Sequence, residues 1–476
     1  MLNKDYIRVL EIDLTNQRVS ISHRKDLYEY LGGTGVAAKL LEEKISYNED
    51  PLAPSQPIIF AIGPMTMIFP VVCKAVAAFR SPQTGNYGES HAGGRLGMAM
   101  RFSGYDAVEI TGRSPKPVYL SIHHHGVEFK NAGFLEGRNI SEIGKLIRQR
   151  EVKIGAGKRS IMRIGPAAEN GVRFACVNVD SYRHFGRLGL GACMGSKNLK
   201  AIIIGGTQSY HIAHPKEYTK IYNQIFRTVT ESPAMQKYHE LGTPQNVLPL
   251  NASNALPTRN LQESQFSGAK EMSGESFAQE LLLRKIACSG CPVGCIHMAL
   301  LREEFGKGYE YKYSEVNYDY EPIYSLGTML GISDKRHFLD LMMQVEELGV
   351  DAMTTGVLLA WATEALEKGL ISEKDLGVRL AFGDVQGYLT AVEKIARGEN
   401  DLYRTLGGGL IAAVKKYGGE DFACLTGGLE MAGYHTGYAH LIGQSTGARH
   451  SHLDNAGYSI DPVSYTHLRA HETVLD

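Results

Sequence analysis

The chain has 476 residues, 43% of them apolar and 21% charged, a folded globular balance that excludes a mainly disordered, collagen-like or coiled-coil chain. Its 50 Lys and Arg against 51 Asp and Glu leave a formal net charge of -1, which gives no support to nucleic acid or an anionic membrane as the main partner. No segment approaches the ~18 uninterrupted apolar residues of a membrane span, and seven cysteines, three of them within eight residues, suit a metal or cluster site in a reducing, cytoplasmic compartment better than a disulfide framework.

In chain order, the first ~200 residues read as β-rich. Tyr6–Leu14 and Arg18–His23 flank a turn at 15–17 and predict a hairpin. Further strands are expected at Pro57–Ile62, Val71–Phe79, Ala107–Thr111, Pro117–Ile122, Arg173–Val179 and Ala201–Ile204. The tract at 123–126 (HHHG) reads as a hairpin tip, with metal binding as its rival. The character changes at Gly205–Pro215. Beyond it helices are expected at Pro215–Thr230, Gly274–Ile286, Lys335–Leu348, Thr354–Lys368, Val385–Arg397 and Asp401–Tyr417. Pro215 suits a first helical turn, and Gly349, Gly369 and Gly418 suit C-terminal caps. The fold class expected is α+β, a β-rich N-terminal domain over 1–208 followed by mostly helical domains over 209–398 and 399–461. Residues 462–476 (PVSYTHLRAHETVLD) break the preceding pattern, resemble an adaptor-derived or read-through tail, and are set aside.

Six segments could carry chemistry. Cys288, Cys291 and Cys295 stand at i, i+3 and i+7 around Pro292 and Gly294. Such thiolates can converge on an iron–sulfur cube, which needs a fourth ligand from elsewhere, or on zinc, or be structural. The 53 glycines cluster at 32–35, 85–97 and 186–195. The stretch 186–197 (GRLGLGACMGSK) lacks P-loop and Rossmann spacing, but with Arg183, Arg187 and Lys197 it suits phosphate, or it is a loop packed on a sheet. The 85–97 loop, with Lys74 and Arg80 upstream, has the same flavour. Glu346, Glu347 and Asp351 gather at a helix end, facing either a polar ligand or solvent. His450, His452 and Asp454 read as one strand face, a metal site or proton donors in a pocket. Glu321, a lone acid among tyrosines, is either a proton-transfer group with a raised pKa or a structural acid.

In series, 8–14 (RVLEIDL), 31–35 (LGGTG), 63–66 (GPMT), 80–85 (RSPQTG), 102–107 (FSGYDA), 164–167 (IGPA), 195–202 (GSKNLKAI), the cysteine motif and 348–351 (LGVD) resemble the tungsten-dependent aldehyde:ferredoxin oxidoreductase family. The resemblance covers about 1–461. It implies aldehyde oxidation at a bis-pterin tungsten centre, a neighbouring [4Fe–4S] cluster, a Mg2+ bridging the pterin phosphates, and a ferredoxin-like electron acceptor; reduction of an aromatic acyl thioester and a non-catalytic iron–sulfur scaffold are the alternatives. By position, Lys74, His91, Gly93, Arg183, His184 and Gly186 would line the phosphates and magnesium. Glu346 and Asp351 would hold pterin rings. Glu321 and His450 would be the acid–base pair, and Cys288, Cys291 and Cys295 three cluster ligands. Family chains continue further and carry the fourth cluster cysteine there, so the resemblance implies a third domain that is incomplete here, a three-thiolate cluster and weak activity. Self-association is compatible with it.

Overall fold

The computed structural model describes residues 4–151, 155–308 and 310–461; the tail expected at 462–476 lies outside them. The N-terminal hairpin forms as Ile7–Asp13 and Arg18–Arg24, in register from Ile7 opposite Arg24 to Asp13 opposite Arg18. Asp13 closes the turn by accepting the Thr15 amide at 2.8 Å. These strands begin a six-stranded sheet in the order Arg18–Arg24, Ile7–Asp13, Ala107–Thr111, Ile58–Ala61, Ala75–Arg80, Tyr87–Ala92. A second six-stranded sheet runs Arg183–Phe185, Val177–Val179, Arg159–Arg163, Leu199–Gly205, Val118–His123, Gly126–Asn131.

The inner strands of both sheets, such as Ile58–Ala61, Ala75–Arg80 and Leu199–Gly205, are buried on two faces, which is why they read as largely apolar runs. Leu10, Ile12, Ile58, Phe60, Ala77 and Phe79 point between the sheets, where Leu120, Ile122, Ile202 and Ile204 meet them. The alternate residues Val9, Ile59, Ala61, Val76 and Ala78 face helix Thr34–Lys44. Tyr119, Ile161, Ala201 and Ile203 likewise face helix Ile140–Arg150. The expected two-sheet base is therefore a four-layer sandwich, helix on sheet on sheet on helix.

After Gly205 helices dominate, as expected for the α+β class. Lys335–Leu348 forms as read, capped by Gly349 at φ 75. Ala352–Glu367 is buried on nearly every face and holds Trp361 at its centre. Five expectations differ. The strands expected from Val71 and from Arg173 begin only at Ala75 and Val177. The Gly274–Ile286 helix ends at Glu280, and Leu282–Ile286 is instead a strand paired with Ile296–Gly306, itself paired with Glu310–Tyr318. The Asp401–Tyr417 helix breaks at Gly408 and Gly409 into Asp401–Gly407 and Leu410–Tyr417. The 186–197 stretch is a loop only to Gly189; Leu190–Ser196 is helical, and its Gly191 packs against the Cys176 carbonyl so closely that a Cβ would lie 2.4 Å from it. The 123–126 tract is a hairpin tip.

Two connections in the helical half place the chemically active side chains. The cysteine motif is the loop joining Leu282–Ile286 to Ile296–Gly306. Glu321 lies in the short turn Tyr320–Pro322, which continues into a wide helical turn, Ile323–Gly327. That turn rests on Gly356 of the central helix, where a Cβ would come within 2.1 Å of the Ser325 carbonyl.

Candidate functional site

The motif loop curls because Gly290 and Gly294 adopt φ 73 and φ 64, with the Cys291 amide donating to the Cys288 carbonyl at 3.0 Å. It is pinned to the β-rich domain at two places. The Ser289 amide donates to the Gly94 carbonyl at 2.9 Å, and the Val71 amide to the Gly290 carbonyl at 3.1 Å. At Gly93 the contact is closer still: a Cβ there would lie 2.7 Å from Cys288 Sγ. The Arg183 guanidinium donates to Cys295 Sγ at 3.6 Å and also reaches Cys288.

A fourth thiol, absent from the sequence reading, joins this group. Cys73, buried just before strand Ala75–Arg80, hydrogen-bonds the thiols of both Cys288 and Cys291. That bond, with Arg183 assisting, holds Cys288 and Cys291 well below the ordinary thiol range despite their burial, while Cys73 is pushed up as the partner that keeps its proton. The remaining cysteines lie elsewhere. Cys193 faces the Arg80 carbonyl, Cys424 faces Asn260, and Cys176 is buried beside Asp351 and Glu346.

The 85–97 and 183–186 segments meet across one cradle. A Cβ on Gly94 would lie 3.7 Å from Arg183 Cγ, and the Arg95 amide donates to Asp180 Oδ2 at 3.3 Å. Exposed Lys74 is beside it, because the next residue, Ala75, pairs with Ala92. His91 is on the rim, bonded to Glu89 at 2.7 Å. His184 faces Asn178 at 2.8 Å and Glu346 at 3.5 Å. Gly186 is open: the nearest atom to an added Cβ is His184 Cβ at 3.9 Å. A cavity of about 200 Å³ opens beside Glu346, lined also by Arg163, Asn178 and Tyr182. Four buried polar atoms here have no hydrogen-bond partner: Arg183 Nε, Glu346 Oε1, Asn178 Oδ1 and Arg163 Nη1.

Asp351 is nearby but committed. Its Oδ1 caps the central helix through the Met353 amide at 2.9 Å, and its Oδ2 takes Arg187 at 3.2 Å and the Thr354 hydroxyl at 2.7 Å. Arg187 continues to the Glu430 carbonyl at 2.8 Å, inside a buried network with Gln83 that the sequence reading missed. Lys197, grouped above with the phosphate-suited cations, is buried and donates to the Pro54 carbonyl at 2.8 Å. Of the cations in that reading, Arg183 alone faces the thiols; Arg187 and Lys197 brace the fold.

Glu321 Oε1 accepts the Tyr434 hydroxyl at 2.8 Å and faces His452 Nε2 at 3.4 Å. His452 is 4% exposed and stacks on Tyr434 with ring centroids 5.2 Å apart. Burial opposes ionisation of Glu321, but His452 and Tyr434 outweigh it and hold the carboxyl below its usual range, opposite to the raised value expected. The expected partner, His450, is turned away. It sits at φ 52, its Nδ1 faces the Gln444 carbonyl at 3.2 Å, and its ring lies against Gly427. Residues 450 and 452 would share a face only on a strand, and here the chain turns. Asp454 is bound to Arg449 Nε at 2.6 Å. Asp319, two residues before Glu321, is raised to about 7 by burial and then by the Glu321 charge, and Arg183 is its counter-charge. The thiols, Arg183, Asp319 and the Glu321–His452–Tyr434 group thus form one continuous electrostatic region. Among the described residues no three His, Cys, Asp or Glu side chains converge as ligands of a single ion.

Comparison with known proteins gives a consistent set. The family profile for the aldehyde ferredoxin oxidoreductase N-terminal domain matches residues 9–206. The profile for domains 2 and 3 of the same family matches residues 220–474. A tungsten-containing aldehyde ferredoxin oxidoreductase from Thermococcus kodakarensis is 33% identical over 468 residues, covering 96% of this chain and 74% of that protein. Its counterpart from Pyrococcus furiosus is 32% identical over 447 residues, covering 91% and 71%. The WOR-like subunit of an aliphatic sulfonate oxidoreductase from the same organism is 30% identical, covering 82% and 64%. In structure, a chain of the active-site complex of benzoyl coenzyme A reductase with a dienoyl-CoA superposes with a TM-score of 0.77 at 23% identity, covering 91% of this chain and 66% of that one, and so shares the fold.

Proposed function

The chain belongs to the aldehyde ferredoxin oxidoreductase family, and from that premise we propose that it converts an aldehyde and water to a carboxylic acid, two protons and two electrons. The observation that carries the reading is the convergence, in one region, of the thiol group, the glycine-lined cradle with its unpartnered buried donors and acceptors, and the Glu321–His452–Tyr434 group. A tungsten bis-pterin group bound there would supply the oxygen-transfer and two-electron chemistry.

The residues fit that group. Arg183 Nε is a buried donor without an acceptor, suited to a phosphate. Glu346 Oε1 is a buried acceptor without a donor, suited to ring N–H groups. Lys74, His91, Gly93, His184 and Gly186 complete the phosphate and Mg2+ side, where glycine lets backbone carbonyls approach. Asp351 acts through Arg187, whose Nη1 is also buried and unpartnered.

Glu321, held ionised, accepts the proton released as water adds to the aldehyde carbon; His452 Nε2 and the Tyr434 hydroxyl orient the carboxylate. Asp319, protonated near neutrality, holds the neighbouring proton and keeps a second negative charge away from Glu321. Cys288, Cys291 and Cys295 would hold a [4Fe–4S] cluster, which would supply the route for electrons to a ferredoxin-like carrier; Cys295 is exposed, on the side such a carrier could approach. Residues 1–208 are the cofactor base, 209–398 carry the cluster motif, and 399–461 begin a third domain. The setting is the reducing cytoplasm; among the described residues no helix is long and apolar enough to cross a membrane.

The test is aldehyde-dependent viologen reduction by protein produced anaerobically with and without tungstate, run beside an aromatic acyl thioester and an alkyl sulfonate. Tungstate-dependent turnover of the aldehydes is expected. Equal aldehyde turnover without tungstate, or turnover of the thioester alone, would overturn the proposal.

A further inference from the structure

We infer that Arg449 is the positioning residue of the acid–base group: it takes its place from Glu89 on the β-rich base and, through Asp454, sets His452 against Glu321. The inference rests on the acid–base reading above. His452 Nε2 faces Glu321 at 3.4 Å, but its other ring nitrogen, Nδ1, is buried and has no hydrogen-bond partner among the described residues. A histidine in such a role is ordinarily oriented by the bond its second nitrogen makes. Here the ring takes its direction instead from its stack on Tyr434 and from the turn that carries it.

Asp454 builds that turn. Its Oδ2 accepts the Arg449 amide at 3.0 Å and the Ser451 amide at 3.4 Å, and its own amide donates to the Ser451 carbonyl at 3.1 Å. It is packed on Gly447, where an added Cβ would come within 2.1 Å of the same Oδ2. Arg449 fixes the turn to the base. Its Nε donates to Asp454 Oδ1 at 2.6 Å, and its Nη1 donates to the Glu89 carbonyl at 3.0 Å and lies 3.2 Å from the Glu89 carboxylate. The Arg449, Glu89 and Asp454 side chains are only 12%, 9% and 8% exposed, so water competes weakly for these bonds. Glu89 stands on strand Tyr87–Ala92 and also holds His91 of the cradle rim and the Tyr87 hydroxyl, each at 2.7 Å. One guanidinium therefore joins the rim of the cofactor cradle to the acid–base histidine, and it needs its fork to do so, since Nε serves the turn while Nη1 serves the base.

The experiment compares the full chain with Arg449→Gln and Arg449→Lys in two arms. In the first, the metal-free chain is treated with diethyl pyrocarbonate and the modification of each histidine is followed by mass spectrometry. His452, 4% exposed, should react slowly in the parent and about tenfold faster or more in Arg449→Gln, with Arg449→Lys between them. His297, 1% exposed on strand Ile296–Gly306, should stay slow in all three. In the second arm, protein produced anaerobically with tungstate is assayed for aldehyde turnover. Arg449→Gln should lower kcat about tenfold or more with KM and tungsten content unchanged, and should cost little further in a His452→Asn background. His452 protected as in the parent in both variants would overturn the inference. So would losses that multiply in the double variant, or His297 exposed together with His452 in both variants, since Arg449 would then hold the fold at large. If the His452 rates follow the expected order but tungsten-loaded parent turns over no aldehyde, the anchoring of the turn stands and the acid–base reading alone is overturned.

Discussion

Replacing Gly93 by alanine probes the joint between the cradle and the thiols. The added Cβ would lie 2.7 Å from Cys288 Sγ, against an ordinary contact of about 3.5–4.0 Å, so one partner must move by roughly 1 Å. Retreat is blocked in two directions. Arg183 Nε is 3.9 Å from the same Cβ, and the Ser289 amide bond to Gly94 at 2.9 Å holds the motif down. The strain of such overpacking is about 1–3 kcal/mol, enough to lower the melting temperature of the metal-free chain by a few degrees and not enough to unfold it. The effect on metal should be larger, because a cluster ligand displaced by about 1 Å is out of place for bonding. Gly93 is not in the positive-φ region, so backbone strain does not confuse the result. The assay is iron and sulfide per chain after anaerobic loading, beside thermal unfolding, with Gly157→Ala as control because nothing lies within 4 Å of its added Cβ. Gly93→Ala should lose most of its cluster with a modest change in melting. Full iron content would refute the close Gly93–Cys288 approach as a feature of the working protein.

Other outcomes rest on the same geometry. Glu321→Gln and His452→Asn should each lower kcat by about 10²–10⁴-fold, whereas His450→Asn should leave aldehyde turnover within a few-fold; the reverse order would return the acid–base role to His450. Asp319, raised from 3.8 to about 7 in the folded state, keeps its proton longer folded than unfolded, so it makes stability fall as pH rises from about 4 to 7 and level off above. Asp319→Asn, which can still cap Tyr320, should flatten that fall in thermal melts across this window and be more stable than the parent at pH 8. Asp351→Ala removes a helix cap and strands buried Arg187, which should cost about 3–5 kcal/mol in denaturant unfolding; a cost under about 1 kcal/mol would show that the cap and ion pair matter little.

Much of the fold was legible because burial imposes simple patterns. Strands such as Ile58–Ala61, covered on both faces, had to be apolar throughout, and Lys335–Leu348 announced both its period and its glycine cap. The three-stranded sheet around the motif was less legible. Arg302, Glu303, Glu304 and Lys312 stand on its exposed ends, and Leu281–Leu283 continue a helical pattern into the first strand. Within the site, Cys288, Cys291, Cys295, Arg183 and Glu346 were legible from local spacing or family position. Cys73 was not, since only tertiary contact joins it to residues more than two hundred positions away; its signal was a cysteine adjoining Lys74. His450 was expected by family position, and the strand reading put His450 and His452 on one face; the chain instead turns, with His450 at φ 52, and only His452 faces Glu321. Lys197 and Arg187 misled because a cation in a glycine-rich loop can turn inward as readily as outward.

The most direct measurement is the metal content of the full chain produced anaerobically with tungstate and purified without oxygen. Tungsten together with about four irons per chain is the expected result; zinc alone, or iron with no tungsten, would contradict it.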